Sequence, residues 1–192
     1  MARVQDVARF FIKLGQEQAE NNSGDLVTNL RLQKMLYFAQ GWYMARYGKT
    51  LFDAEFQAWE FGPVVPAIYH KYKVNGSTGI SDHEELSEGV FTEEEMALLI
   101  EAASEFDNYA TSKLVEKSHS TTPWLNARSG RGNVIRNDDI LAYFENNKLP
   151  SLDEIIAQLV DEGKIEEVTP RINADGCAVF PAEIAEGWEN GD

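Results

Sequence analysis

The chain of 192 residues has one cysteine, Cys177, and three histidines, at positions 70, 83 and 119. A single thiol excludes an intrachain disulfide and a thiolate metal cluster, and it fits a cytosolic setting. The histidines lie far apart, without HExxH or any other paired-ligand spacing, so no metal site is expected. Basic residues are scarce as well: 17 Lys and Arg stand against 32 Asp and Glu, a formal net charge of −15. A protein that grips phosphates needs positive charge on its contact face, so nucleic acid is not an expected partner. No apolar run approaches the roughly 20 residues of a membrane span, and no membrane partner is expected. The GxxxxGK[ST] phosphate loop, a GxGxxG after a strand and the GxSxG nucleophile elbow are all missing, and GRGN at 130–133 is too short to replace them. No cofactor is therefore expected.

What is present is a globular composition, with four Trp, seven Tyr and ten Phe. Residues 3–20 place Val4, Val7, Phe11 and Leu14 on one helical face, with Arg9, Lys13 and Gln16 largely elsewhere. This reads as a helix of the fold rather than a signal peptide, and NNSGD at 21–25 ends it. Leu30 to Tyr47 is apolar around most of a helix, the mark of a central element, and Gly48 is placed to stop it. Thr92 and Glu95 form a capping box ahead of Met96, Leu99, Ile100, Ala103 and Phe106, the expected apolar face of another helix. A shorter helix runs from Ala110 to Ser118, interrupted by SHSTTPW, and NARSGRGNVIRNDD reads as a locally basic loop. Asn137 is the expected cap of a helix with Ile140, Leu141 and Phe144 facing inward.

Pro150 marks a break. A second capping box, Ser151 with Glu154, opens a helix that Gly163 stops, and KIEEVTPRINADGCAVFP reads as a β-hairpin turning at Asp175-Gly176. The expected fold is mainly α: a compact multi-helix domain over 1–150, with one or two short extended segments. An acidic extension, helix plus hairpin, follows over 151–192.

Three features invite a functional reading. Gln33, Tyr37 and Gln40 form a narrow polar seam on the central helix; such side chains either cap neighbouring backbone groups or recognise a partner. Ten acids and no base lie between Asp82 and Asp107. The glutamates that open the helix there favour its positive dipole end, and the remainder could face a basic partner. His119 sits near a helix C-terminus, where the dipole favours imidazolium, among Ser118, Ser120, Thr121 and Thr122. No orienting carboxylate is near in sequence, so packing on Trp124 is favoured over acid–base work. The stretch AWEFGPVVPAIYHKY at 58–72 reads as a corner: Gly62 supplies backbone freedom, and Pro63 and Pro66 set the start of a helix. Trp59, Tyr69 and Tyr72 tie that helix to the core.

Three segments in order, LQKMLYFAQGWYMARYGKTLF at 32–52, FQAWEFGPVVPAIYHKY at 56–72 and HSTTPWLNAR at 119–128, resemble the Panacea domain family of SocA-like, phage-associated antitoxins. The matching positions include Gln33, Lys34, Tyr37, Gln40, Trp42, Trp59, Gly62, Pro63, Pro66, Tyr69, His119, Pro123 and Trp124. One departure is Ser118, where the family pattern has Thr before the histidine. The resemblance, over about 28–128, implies a helical antitoxin that neutralises a toxin encoded beside it by direct protein contact, with no enzymatic activity and no cofactor. It implies that the matched residues build the scaffold and a binding surface. Alternatives are a proteolytic adaptor that delivers a bound protein to an energy-dependent protease, and an enzyme centred on His119. A DNA-binding autoregulator is disfavoured by charge. A second copy of the chain is a further candidate partner. The acidic loop 82–95 and the C-terminal extension are the expected partner surfaces.

Overall fold

A computed structural model describes residues 1–21, 24–87, 89–130, 132–151 and 154, together with the backbone of 171–172 and 178–179. It is mainly α with minor β. Two compact units divide the chain, Met1–Leu149 and Pro150–Asp192. No described helix is long and apolar enough to cross a membrane.

Seven helices of the first unit run in the order α1 (Val4–Glu20), α2 (Asn29–Tyr47), α3 (Pro66–Tyr72), α4 (Glu93–Asp107), α5 (Thr111–His119), α6 (Thr122–Ser129) and α7 (Asn137–Phe144). β1 (Phe56–Trp59) lies between β2 (Gly62–Val64) and β3 (Val134–Ile135) in an antiparallel sheet of order β2-β1-β3. The register pairs Trp59 with Gly62 and Gln57 with both Val64 and Val134.

α2 is the axis. Thr28 caps it by accepting from Arg31 N at 3.2 Å, and Gly48 closes it in the left-handed region at φ 66°. α1, α3, α4, α5, α7 and β2 pack around it, so Leu32, Leu36, Tyr37 and Ala39 are wholly buried on several sides at once. Tyr37 meets Phe38, Phe56 and Phe144 edge-on at 5.5–5.6 Å, a favoured aromatic geometry. Trp42 stacks on Phe106 of α4.

Several expectations change. On α4 the buried apolar set is Leu98, Leu99, Ala102, Ala103 and Phe106, while Met96 and Ile100 are exposed. The helix is apolar on more than one side, and packing on α2 selects a stripe turned from the one that spacing suggested. Asn137 is the first residue of α7, whose N-cap is Arg136, and no side-chain cap bond forms. The stretch read as an interruption and a loop holds α6 and β3. Pro123 lies in the first turn of α6, where a missing N–H costs nothing. Arg9, placed off the apolar face of α1, is buried.

In the second unit the Ser151–Glu154 capping box forms, with Ser151 N to Glu154 Oε2 at 2.7 Å and Glu154 N to Ser151 Oγ at 3.2 Å. An antiparallel ladder pairs β4 (Arg171–Ile172) with β5 (Ala178–Val179). The expected helix over 155–163 and the Asp175-Gly176 turn lie outside the described residues.

α2 and α7 meet closely at Gly41, where an added Cβ would stand 2.3 Å from the Phe144 ring. Alanine favours a helix over glycine by about 1 kcal/mol, but overpacking a ring fixed by Tyr37, Phe38 and Trp42 costs about 1–3 kcal/mol. Gly41→Ala is therefore expected to lower the melting temperature by a few degrees; an unchanged or raised value in a thermal scan would contradict this contact.

Candidate functional site

Gln33, Lys34 and Gln40 are buried on α2, at 1%, 0% and 0% exposure, where each polar atom needs a partner. All three reach backbone outside the helix. Gln33 Oε1 accepts from Val65 N at 2.9 Å, and its Nε2 donates to Asn29 Oδ1 at 3.0 Å. Asn29 passes the connection on to Tyr69 O at 3.1 Å. Gln40 Oε1 accepts from Leu51 N and Phe52 N, and its Nε2 donates to Phe52 O. Lys34 Nζ donates to Pro63 O at 3.0 Å. Tyr37 Oη donates to Thr121 Oγ1 at 3.0 Å, and Thr121 in turn donates to Ser118 O. The seam thus holds three separate segments of chain in register with one helix.

Lys34 is the unusual member. Its ammonium has a carbonyl partner and no carboxylate among the described ion pairs, and burial pulls its pKa from 10.5 down to about 7. Local sequence does not show this burial, because it comes from elements distant in the chain that close over α2.

Above Lys34 lies the β1–β2 hairpin. Gly62, at φ +102°, follows a two-residue turn, and a Cβ there would sit 2.6 Å from Ser118 Oγ and 2.8 Å from Lys34 Cε. Pro63 lies on β2, an edge strand, where the missing N–H breaks no ladder. Pro66 opens α3. Trp59 packs edge-on against Tyr69 at 4.8 Å, and Tyr72 is buried with its hydroxyl on Asp82 at 2.7 Å.

His119, the last residue of α5, stacks on Trp124 at 4.3 Å and 20°. Trp124 Nε1 donates to Trp59 O at 3.1 Å. Burial lowers the pKa of His119, with Lys34 and Arg128 adding to that, while the Glu60 backbone opposes. Its Nε2 is buried with no hydrogen-bond partner among the described residues. Ser118 is fully buried and bonds Val115 O.

The structure thus gathers Gln33, Lys34, Trp59, Gly62, Pro63, Pro66, Tyr69, His119, Pro123 and Trp124 around one hairpin and the helices packed on it. Tyr37 is tied to this group through Thr121. Gln40 holds a different loop, and Trp42 lies apart, against Phe106 and Phe144.

The acidic run is used within the protein. Asp82 is 8% exposed and lies 3.9 Å from Arg9 and from Lys71. Burial pushes its carboxyl up, but hydrogen bonds from Tyr72 and Glu84 N–H, with Lys71 and Arg9, bring it below the ordinary range. Glu84 pairs with Arg9, Glu85 with Lys13 at 2.9 Å, Glu94 with Lys49 at 2.6 Å and Glu101 with Arg46 at 2.5 Å. Glu95 closes the α4 capping box. Asp6 joins Arg9 and Arg3. Loop 82–85 is thereby fastened to α1 and α3 by charges from both sides.

Residues 32–125 match the family model described as antitoxin SocA-like, Panacea domain. Over 50 residues the chain is 46% identical to Antitoxin SocA of Caulobacter vibrioides (strain NA1000 / CB15N). That alignment covers 26% of this chain and only 27% of the relative's length. No solved structure matches the chain.

Two outcomes follow from this geometry. Gly62→Val places a branched side chain at a positive φ and against Lys34 and Ser118, so a loss of roughly 2–5 kcal/mol is expected; a melting temperature within a degree or so of wild type would refute it. The second concerns pH. Between a folded pKa of about 7 and the ordinary 10.5, the unfolded chain holds a proton on Lys34 that the folded protein has released. Stability from this group therefore rises with pH across that window, by up to about 1.4 kcal/mol per unit. Lys34→Met removes the rise. Urea titrations at pH 7 and pH 9 are expected to show wild type gaining about 2 kcal/mol over the variant between the two; equal slopes would mean that Lys34 stays charged in the fold.

Proposed function

Taking residues 32–125 as a SocA-like Panacea domain, we propose that the protein is an antitoxin, a binding module that neutralises a cognate toxin by direct contact. The observation that carries this reading is the family match over the hairpin, the α2 seam and the His119–Trp124 stack. The packing is consistent with it: Lys34 and Ser118, both against the hairpin at Gly62, are fully buried and engaged with backbone carbonyls. In this reading they stiffen a scaffold and perform no catalysis, and neither cofactor nor metal takes part. The toxin is proposed to be encoded beside the antitoxin and to act in the cytoplasm.

Co-expression with the product of each adjoining reading frame tests the proposal. The expected result is that one neighbour arrests growth alone, and that this protein restores growth and co-purifies with it. Absence of both toxicity and complex formation for every neighbour would end the antitoxin reading. Partner half-life in cells with and without an energy-dependent protease separates simple masking, in which it is unchanged, from delivery for degradation, in which it shortens only when protein and protease are both present. A His119→Ala variant that folds and still neutralises is also expected; loss of neutralisation with the fold intact would instead support chemistry at His119.

A further inference from the structure

Resting on the binding reading above, we infer that the partner docks by an acidic segment with apolar side chains onto the surface made by the β1–β2 hairpin, α6 and β3. Charge distribution is the first argument. Residues 108–137 hold five bases, Lys113, Lys117, Arg128, Arg131 and Arg136, and one acid, Glu116, within a chain of net charge −15. The cations of α1, α2 and α3 that lie near the acidic run, with Lys49 just past α2, face its carboxylates. Lys117 and Arg128 face aromatic rings instead, those of Tyr109 at 4.4 Å and Trp124 at 5.9 Å, and neither is in an ion pair among the described residues.

The second argument is exposed apolar area beside these cations. Phe61, Leu125 and Val134 are 62%, 46% and 42% exposed. They stand on the hairpin turn, α6 and β3, three elements that pack on one another and are pinned by the Trp124–Trp59 hydrogen bond. Leu125 and Arg128 are three apart on α6 and share a face. One exposed apolar residue is ordinary, but several on adjoining rigid elements, with arginine among them, have the make-up of a protein interface.

An acidic protein segment fits better than nucleic acid. A phosphate-binding surface recruits many cations, and an extended polyanion meets more of the −15 net charge than a short acidic segment does. The apolar trio also needs an apolar counterpart, which a phosphate backbone does not offer. The acidic loop fits a docking role less well, because its carboxylates are matched from within the protein.

The test uses the adjoining gene product that wild type neutralises as its probe. Arg128→Glu and the double variant Phe61→Ser with Leu125→Ser are compared with wild type and with Glu85→Gln, a variant in the acidic loop. Growth rescue, complex affinity and melting temperature are measured for each. Both surface variants are expected to bind roughly tenfold more weakly or worse and to lose rescue while melting near the wild-type temperature, whereas Glu85→Gln keeps both functions. The Arg128→Glu defect should shrink as salt rises, and the apolar defect should not. Full rescue by both surface variants would overturn the docking surface and leave the antitoxin reading standing. A wild type that neither binds nor rescues would defeat the antitoxin reading, and the docking surface with it. Should the surface variants keep the protein complex but lose binding to a labelled short DNA duplex that wild type retains, the surface belongs to nucleic acid and the inference is wrong.

Discussion

Burial of amide and ammonium groups on α2 is the constraint from which the architecture follows. Gln33, Lys34 and Gln40 cannot reach water, and an unpartnered polar group in that position costs on the order of 1–3 kcal/mol, more for a charge. Each is satisfied by backbone outside α2: Val65 and, through Asn29, Tyr69 of α3; Pro63 of β2; and Leu51 with Phe52. One helix therefore supplies both the hydrophobic axis and the register of the segments that wrap it. The hairpin inherits its position from Lys34 and Gln33, and through Trp59 it passes that position on to Trp124 and α6.

A net charge of −15 suggests an open acidic surface, yet much of the acid between 82 and 107 is engaged. Arg9, Lys13, Arg46 and Lys71, on three helices, and Lys49, just past the end of α2, meet it. The exposed pairs among these add little stability, since Coulomb attraction in water is weak and the side chains lose freedom. Their effect is chiefly to define where the loop lies. Buried Asp82 differs, because it ties Tyr72 of α3 to the α1 network.

Sequence reading succeeds where the information is local. The capping boxes at Thr92–Glu95 and Ser151–Glu154, the Gly48 stop and the central character of α2 all rest on a few neighbouring residues, and they form as expected. It fails where distant chain decides. β3 is two residues long and exists because β1, nearly 80 positions earlier, pairs with it. α6 has eight residues, with proline, asparagine and serine among them, too short and too polar to show a helical period. Met96 and Ile100 look as apolar as Leu98 and Ala102, and only the packing against α2 separates them. At the site, the glutamines were legible as capping groups or recognition groups, but not which loops they hold. Lys34 stood out only as a matched position, because its burial depends on elements from across the chain.

The central place of α2 also bears on how the chain is made. Its neighbours α4 and α7 begin some 60 and 110 positions after its own first residue, and the carbonyl that Arg46 grips belongs to Leu149. On a ribosome adding roughly 5–20 residues per second, α2 emerges several seconds before the helices that cover it. Over that interval a helix apolar around most of its circumference stands without its partners. The nascent chain is then most open to chaperones, to proteases and to premature association, and the design that makes the finished scaffold rigid makes its synthesis the vulnerable stage.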